Sequence, residues 1–454
     1  MLFKQTYISV YGLTVALLAS LATSAISFCH EGHEHKPREV KPAEMYAPKV
    51  IPDRVVLTWS ADPTTTQSVT WRTSTEVPAG MAEIALATAG PEFIKATNRF
   101  EAKTEKLKTD INEAHFHSVT FKDLKPATKY VYRVGDGVNW SEWFQFRTAS
   151  DKPEKFSFIY FGDAQNNLRS MWSRVIREAY SDAPKAAFIV HAGDLINTAE
   201  SDAEWGEWFG AGNWLNGMIP NVPVPGNHEQ AKASDGSRRI SHHWKPSFTL
   251  FENGPEGLEE TCFTFTYQNT RIIGLNSNES IEQQTAWMDE VLAKNEHPWV
   301  ICTFHHPIFS TGKDRDNPAL RAAWKPVFDK YRVDLVLTGH DHTYGRTGLQ
   351  TPLKLETVGN VPTGVTNVDA ESGTIYVVSV SGPKMYDLDR KSFMVRTAQD
   401  TQLYQIIHVD GNELRFESRT ALGELYDAFT LKKIKGVKNE LIEGEVVMPE
   451  RSRK

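Results

Sequence analysis

From residue 54 to residue 147, apolar and polar positions alternate in short runs. Arg54-Val-Val-Leu-Thr-Trp59, Ser68-Val-Thr-Trp-Arg72, Ala82-Glu-Ile-Ala-Leu86 and His115-Phe-His-Ser-Val-Thr-Phe121 have the period of half-buried strands, as do Lys129-Tyr-Val-Tyr-Arg-Val134 and Trp143-Phe-Gln-Phe-Arg147. This pattern predicts an all-β domain over residues 50–149. From 154 onward the period changes. Leu168, Met171, Val175 and Ala179 fall at helical spacing, and so do Ile281, Thr285, Met288 and Leu292, then Leu320, Trp324, Val327 and Tyr331. Apolar strand-like runs stand between these stretches. Strand–helix–strand repetition predicts a layered α/β domain over residues 154–432, closed by strands near 374–380, 403–409 and 414–418.

The ends of the chain read differently. Lys4 precedes an apolar run from Ile8 to Phe28, and Thr23, Ser24 and Ala25 suit a signal-peptidase site. Residues 1–28 therefore read as a secretory signal peptide, which predicts a secreted or periplasmic protein with no membrane span after cleavage. An uncleaved membrane anchor is the alternative for the same run. Cys29 raises lipid attachment, against which the bulky Phe28 stands. Residues 29–49, with His30, His33 and His35 and then Lys and Pro, read as a flexible leader, and 433–454 as a charged tail that frays. Cys262 and Cys302 sit in strand-like runs and read as buried hydrophobes rather than a disulfide.

Five strand-like runs end in residues that bind metals. Phe156–Phe161 leads into Gly162-Asp163, Ala187–Val190 into Gly193-Asp194, and Ile219–Val224 into Gly226-Asn227-His228-Glu229. Trp299–Phe304 leads into His305-His306-Pro307, and Val333–Leu337 into Gly339-His340-Asp341-His342. Any one of these is equally a capped turn with a solvated side chain. Together, at the strand ends where open α/β sheets bind ligands, they describe one site. Carboxylate, imidazole and amide oxygen in this mixture suit hard-to-borderline divalent or trivalent ions.

The order Gly-Asp, Gly-Asp, Gly-Asn-His-Glu, His-x-Pro, Gly-His-x-His resembles the calcineurin-like metallophosphoesterases, and within them the purple acid phosphatases. The resemblance covers residues 156–346. It implies a four-layer α/β/β/α sandwich, preceded here by a small fibronectin type III-like sandwich. Leu124-Lys-Pro-Ala-Thr-Lys-Tyr130 fits that smaller fold, resembling the corner where a tyrosine hydroxyl bonds back to the backbone. It further implies two metal ions per chain (iron, zinc or manganese), phosphate-ester substrates, and hydrolysis by attack of a metal-activated water, whose pKa such ions bring to about 7. Carried over by motif, Asp194 bridges the ions, Asp163 and His342 serve the first, and Asn227, His305 and His340 serve the second. His228 faces the phosphate and gives a proton towards the leaving oxygen.

The chain departs from the family at three places. Asn197 stands where purple acid phosphatases carry tyrosine, so the phenolate that colours the family is missing there. Gln165 stands where the wider superfamily has histidine. The first ion thus depends on the amides of Asn197 or Gln165, or on water. The family's cationic histidine after His-x-Pro has no counterpart in Ser310–Asp314, where Lys313 is a substitute.

Other candidates have two readings each. His306, Tyr344 and Arg346 border the substrate or pack structurally. His191 reads as a core histidine, and His115 with His117 as a satisfied pair rather than a metal site. His242 and His243 lie in a polar loop with a path to the cleft. Trp205, Trp208 and Trp214 form helix core or cleft wall, and Tyr160 faces the core. Lys and Arg number 50 against 57 Asp and Glu, a formal charge of −7 with no basic block, which speaks against a nucleic-acid partner. The reading is an exported dinuclear phosphoesterase acting on monoesters. The alternatives are a phosphodiesterase or nucleotide hydrolase of the same fold, and a surface binding protein with a decayed site.

Overall fold

The computed structural model describes residues 38–349, 355–358, 361–365, 373–434 and 437–453. The expected signal peptide, Cys29 and the histidines at 30, 33 and 35 lie outside the described residues. The chain divides into a short unit ending at Met45 and a body from Tyr46 onward. In the short unit, Pro42–Met45 makes one helical turn and Arg38 pairs with Glu44. The expected leader is shorter than residue 49. The carbonyl of Tyr46 accepts from Arg72 at 3.1 Å and that of Lys49 from the Ser74 amide at 2.7 Å, which ties both to the first β domain.

That domain is two four-stranded antiparallel sheets. One runs in the order Asp53–Thr58, Gln67–Thr73, Glu113–Phe121, Lys103–Lys108; the other Asn98–Glu101, Met81–Leu86, Lys129–Gly135, Phe144–Arg147. Alternate residues of the strands, among them Val69, Trp71, Ile84, Phe121, Tyr132 and Phe146, point inward and form its core. The Tyr130 hydroxyl accepts from the Lys125 amide at 2.8 Å, which makes the corner anticipated from Leu124–Tyr130. His117 is buried between the hydroxyls of Thr73 and Thr104, at 2.7 and 2.8 Å, and His115 donates to the Val77 carbonyl. Both are satisfied within the sandwich.

The remainder is built on two seven-stranded mixed sheets. The first runs Asn221–Pro223, Ile189–His191, Phe156–Phe161, Leu403–Asp410, Glu413–Thr420, Leu425–Lys432, Glu440–Glu443, and its first three strands are parallel. The second runs Phe263–Tyr267, Thr270–Gly274, Trp299–Thr303, Leu335–Thr338, Ile375–Val378, Tyr344–Thr347, Met394–Ala398, with four parallel strands from Thr270–Gly274 to Ile375–Val378. Ser173–Asp182 and Asp202–Gly212 bring Val175, Ala179 and Trp208 to the core of the first sheet. Ile281–Ala293 and Pro318–Tyr331 bring Met288, Leu292, Trp324 and Phe328 against Ile273, Cys302 and Val336 of the second. This is the layered α/β arrangement expected from residue 154 onward. Cys262 and Cys302 are free and buried.

The β domain is joined to the layered part by an aromatic patch and a buried charge cluster. Trp59 packs on Phe188, Phe265 and Tyr267 at 5.7–5.9 Å. Asp202, fully buried, takes Arg54 at 2.6 Å, Arg72 at 3.3 Å and His243 at 3.3 Å. Removing one partner of such a buried cluster costs about 3–5 kcal/mol, because an uncompensated charge stays behind.

The C-terminal segment does not fray. Glu440–Glu443 completes the first sheet, Arg451 bridges to Ala398, and Arg453 pairs with Asp400 at 2.7 Å. Lys433, Glu443, Glu450 and Arg453 have charged partners, which the sequence alone could not show.

Candidate metal centre

Parallel strands end on the same side of a sheet, so their C-terminal loops gather. Asp163, Asp194 and Asn227 follow three neighbouring strands of the first sheet; His305 and the pair His340 and His342 follow two neighbouring strands of the second. The edges are fastened together: Ser381 donates from its backbone to Gly162 at 2.9 Å, and the Tyr160 hydroxyl donates to the Thr338 carbonyl. Tyr160 thereby faces the core, as its place in the strand predicts.

The loops are sharply turned. Asp163, Asp194, His340 and His342 all have positive φ, at 25°, 52°, 75° and 49°. Non-glycine residues hold such angles only where the surroundings enforce them, which is common at functional sites. Two glycines give the carboxylates room. A Cβ on Gly226 would stand 2.2 Å from Asp194 Oδ1, and one on Gly339 2.3 Å from Asp163 Oδ2.

Three donor atoms converge on His305 Nε2: Asn227 Oδ1 at 3.1 Å, His340 Nδ1 at 3.1 Å and Asp194 Oδ2 at 3.2 Å. His305 is held from behind, its Nδ1–H donating to the Ala192 carbonyl at 2.9 Å, which turns Nε2 inward. On the other side, His342 Nε2 is 3.5 Å from Asp163 Oδ1, and its Nδ1–H donates to the Lys384 carbonyl at 2.9 Å. The amide of Gln165 stands between, with Nε2 2.8 Å from Asp194 Oδ2 and 3.0 Å from His342 Nε2. Asp194 thus touches both sides.

The residues fit a pair of cations. Asp163 Oδ1 and Gln165 Oε1 are buried without any hydrogen-bond partner. One atom each from Asp163, Asp194 and His305 lie within 4.8 Å of one another, and so do one each from His305, His306 and His340. A half-turn of the Gln165 amide would bring its oxygen to the place of the nitrogen, between Asp194 and His342. The protein's own charges are also unbalanced there. Burial pushes the Asp163 carboxyl well above the usual range, and the neighbouring Asp194 adds to it. For Asp194 burial pulls upward too, but the charge and hydrogen bond of His305 outweigh it and hold the carboxylate ionised. His305 rises to about 9: burial opposes this, and the Asp194 carboxylate overrides it. Burial lowers His342 to about 4, and burial with the charge of His305 lowers His306 to about 3.

Residues that sequence reasoning passed over hold this set in place. Glu229, fully buried, accepts from the amides of Gly226 at 2.7 Å, Asp194 at 2.8 Å and Leu195 at 2.8 Å, and so staples two ligand loops together. It stands beside His228 in the motif, but its backbone partners are visible only in three dimensions. Asp341 does the same for Thr311 and Gly312, at 2.7 and 3.0 Å.

His228 is partly exposed, with Nε2 4.0 Å from Asp194 Oδ2. Its Nδ1–H donates to the Asn197 carbonyl at 2.5 Å, and the Glu204 carboxylate fixes that loop through the amides of Asn197 and Thr198, at 2.6 and 2.8 Å.

Several expectations need correction. Among the described residues the Asn197 side chain bonds only Thr198, at 3.5 Å, and none of the candidate ligands; its backbone carbonyl is the part in use, holding His228. Tyr344 and Arg346 do not border a substrate. Both are buried on a strand inside the second sheet, where Asp427 accepts from Tyr344 at 2.7 Å and from Arg346 at 2.7 and 3.0 Å. Lys313 is exposed, and the cation against the centre is Arg315, which donates to the His340 carbonyl and lies over the Tyr386 ring at 4.8 Å. His243 is buried against Asp202 and stacks on Trp205, and His242 faces Glu200, so neither reaches the cleft. His191 bonds Asn221 inside the core, Trp205 and Trp208 are core, and Trp214 is exposed. His306 is anchored by Ser277 and lies 4.3 Å from the His340 ring.

Comparison with known proteins agrees with this fold and with a phosphoesterase. Residues 156–344 match the family described as calcineurin-like phosphoesterase, and residues 52–148 match the purple acid phosphatase N-terminal domain. Acid phosphatase type 7 of Homo sapiens is 24% identical over 332 residues, covering 66% of this chain and 72% of that protein. Probable purple acid phosphatase 20 of Arabidopsis thaliana is 25% identical over 361 residues, covering 75% and 78%. The solved structure of purple acid phosphatase PPD1 from yellow lupin (Lupinus luteus) seeds superposes with a TM-score of 0.69 at 18% identity, over 85% of this chain and 75% of that one, and shares the fold. Fold and site define a metallophosphoesterase of the calcineurin type, a hydrolase whose family implies a dinuclear metal centre. Within that class the chain resembles the purple acid phosphatases, in its N-terminal domain as well as in its relatives.

Proposed function

We propose that this protein is an exported phosphatase that hydrolyses phosphate monoesters at a dinuclear centre. The observation that carries this reading is the convergence of Asn227, His340 and Asp194 on His305 Nε2, all within 3.1–3.2 Å, beside the buried pair Asp163 and His342. Asp194 would be the shared ligand. Asp163, His342 and the Gln165 amide would hold one ion, and Asn227, His305 and His340 the other. A pair of cations held there would supply Lewis-acid polarisation of the phosphoryl group and an acidified water.

The chain's own residues do the rest. Glu229 and Asp341 fix the ligand loops through backbone amides, so the geometry precedes substrate. The Asn197 carbonyl accepts the Nδ1–H of His228, so when the ring is protonated its Nε2–H is the proton free to pass to the leaving oxygen, which leaves a neutral imidazole behind. Export rests on the apolar run from Ile8 to Phe28 behind Lys4; among the described residues no helix is long and apolar enough to cross a membrane.

Hydrolysis of p-nitrophenyl phosphate and of bis-p-nitrophenyl phosphate, before and after chelation and with zinc, manganese or iron restored, tests the reading. It expects turnover of the monoester that chelation abolishes and metal restores. Turnover indifferent to metal would overturn the dinuclear reading, and preference for the diester would overturn the substrate class.

A further inference from the structure

A groove of about 590 Å³ adjoins the centre, with Asn227 and His306 in its lining. That is ample for the alcohol portion of a small phosphate ester. Asn227 is one of the residues converging on His305, and the His306 ring lies 4.3 Å from that of His340. A phosphoryl group at the centre would therefore have its esterified group in this groove.

Around the groove are donors without a protein acceptor among the described residues, one buried and one on an exposed arginine. Gln230 is 8% exposed, and its Nε2 is buried with no acceptor. Buried donors in native proteins nearly always have partners, so one left open beside a cavity points to a ligand. His306 supplies a second. The Ser277 hydroxyl accepts from the His306 amide at 3.0 Å and has no acceptor for its own proton other than His306 Nδ1, at 2.9 Å, among the described residues. The ring proton of a neutral His306 is then on Nε2, as a donor.

The third donor is a cation. Arg238 lines the groove from the hairpin formed by Gln230–Lys232 and Arg238–Ile240. Its neighbour Arg239 pairs with Glu200 at 2.8 Å, whereas Arg238 has no carboxylate partner among the described residues. Asp316, also at the groove, is already held by Arg321 through both oxygens, at 2.6 and 2.9 Å. Glu279 is exposed and takes the Asn276 amide at 3.0 Å.

From these donors we infer that the groove selects phosphate esters whose alcohol portion carries a second anionic group, a carboxylate or another phosphate. Arg238 and the Gln230 amide receive that second anion, and His306 Nε2–H meets an oxygen nearer the scissile bond. The inference rests on the phosphatase reading and names its substrate class.

Paired esters test it in the metal-replete enzyme. Glycerol 3-phosphate against 3-phosphoglycerate adds a carboxylate; fructose 6-phosphate against fructose 1,6-bisphosphate adds a phosphate. A hydrogen bond to a charged group predicts a KM about tenfold to a hundredfold lower for the doubly anionic member. The two pairs tell which anion is meant. In Arg238→Gln the KM ratio within the preferred pair falls towards one, and Arg238→Lys, which keeps the charge without the fork, retains part of it. Gln230→Leu narrows the ratio as well. Equal KM values in both pairs would overturn this inference alone, and so would a ratio that survives Arg238→Gln. No turnover of any ester would overturn the phosphatase reading and this inference with it.

Discussion

The two halves of the metal centre are built to different standards. Around His305, three donors of distinct chemistry, Asn227, His340 and Asp194, all come within 3.1–3.2 Å of one nitrogen. Around His342 the spacing is looser: Asp163 stands at 3.5 Å, and a neutral amide from Gln165 occupies the middle. Asn227 also offers only an amide oxygen, but beside it stand two imidazoles and the shared carboxylate. The Gln165 side has the shared carboxylate, Asp163 and one imidazole, and its amide stands where the wider superfamily has a second imidazole. Hard trivalent cations favour anionic oxygen, so without a phenolate this half is expected to be the weaker, divalent-preferring one. One or two side chains at the end of a strand would then make the two halves unequal.

The largest effect should come from removing what the halves share. Asp194→Asn replaces the carboxylate that touches both His305 and Gln165, and we expect phosphatase activity to fall to background with metal lost from both halves. Elemental analysis checks it; a mutant retaining two ions and wild-type turnover would merge the halves in some other way. Next in size, His228→Ala should leave both halves loaded and slow turnover by about 10²–10⁴-fold, more for poor leaving groups. Loss of an ion instead would move His228 into the ligand set.

A change confined to the weaker half should be smaller still. Gln165→Leu should raise the metal concentration needed for half-maximal activity by about 10–100-fold, the usual range for groups supporting a metal. An unchanged requirement would remove Gln165 from the first half. The mildest test is optical. Asn197 places no phenol at the centre, so iron-loaded, oxidised protein should lack a visible phenolate band. A band would contradict the assignment, and its loss in Tyr386→Phe would name the phenol, because Tyr386 packs 4.5 Å from the His342 ring.

What could be read from the chain follows the range of the interactions. The strand ends with Asp163, Asp194, Asn227, His305, His340 and His342 were legible because apolar run and ligand are contiguous. The roles of Glu229 and Asp341 were not: they accept from amides up to 35 residues away, and sequence shows no backbone partner. Tyr344 and Arg346 follow Gly-His-x-His so closely that they read as rim. Yet the chain re-enters the sheet there, and Asp427, distant in sequence, buries both. Asn197 was placed by counting from Asp194, which fixes the residue but not whether its side chain or its carbonyl faces the site. The tail misled for the same reason, since charges such as Arg453 look solvated until Asp400 is brought beside them.

Calorimetric titration of chelator-treated protein with zinc or manganese tests the unequal centre most directly. The account predicts two resolved steps, a tight one that Asn227→Ala weakens and a looser one that Gln165→Leu weakens. A single step of two equivalent sites, or a Gln165→Leu variant whose two steps match those of the unaltered protein, would contradict it.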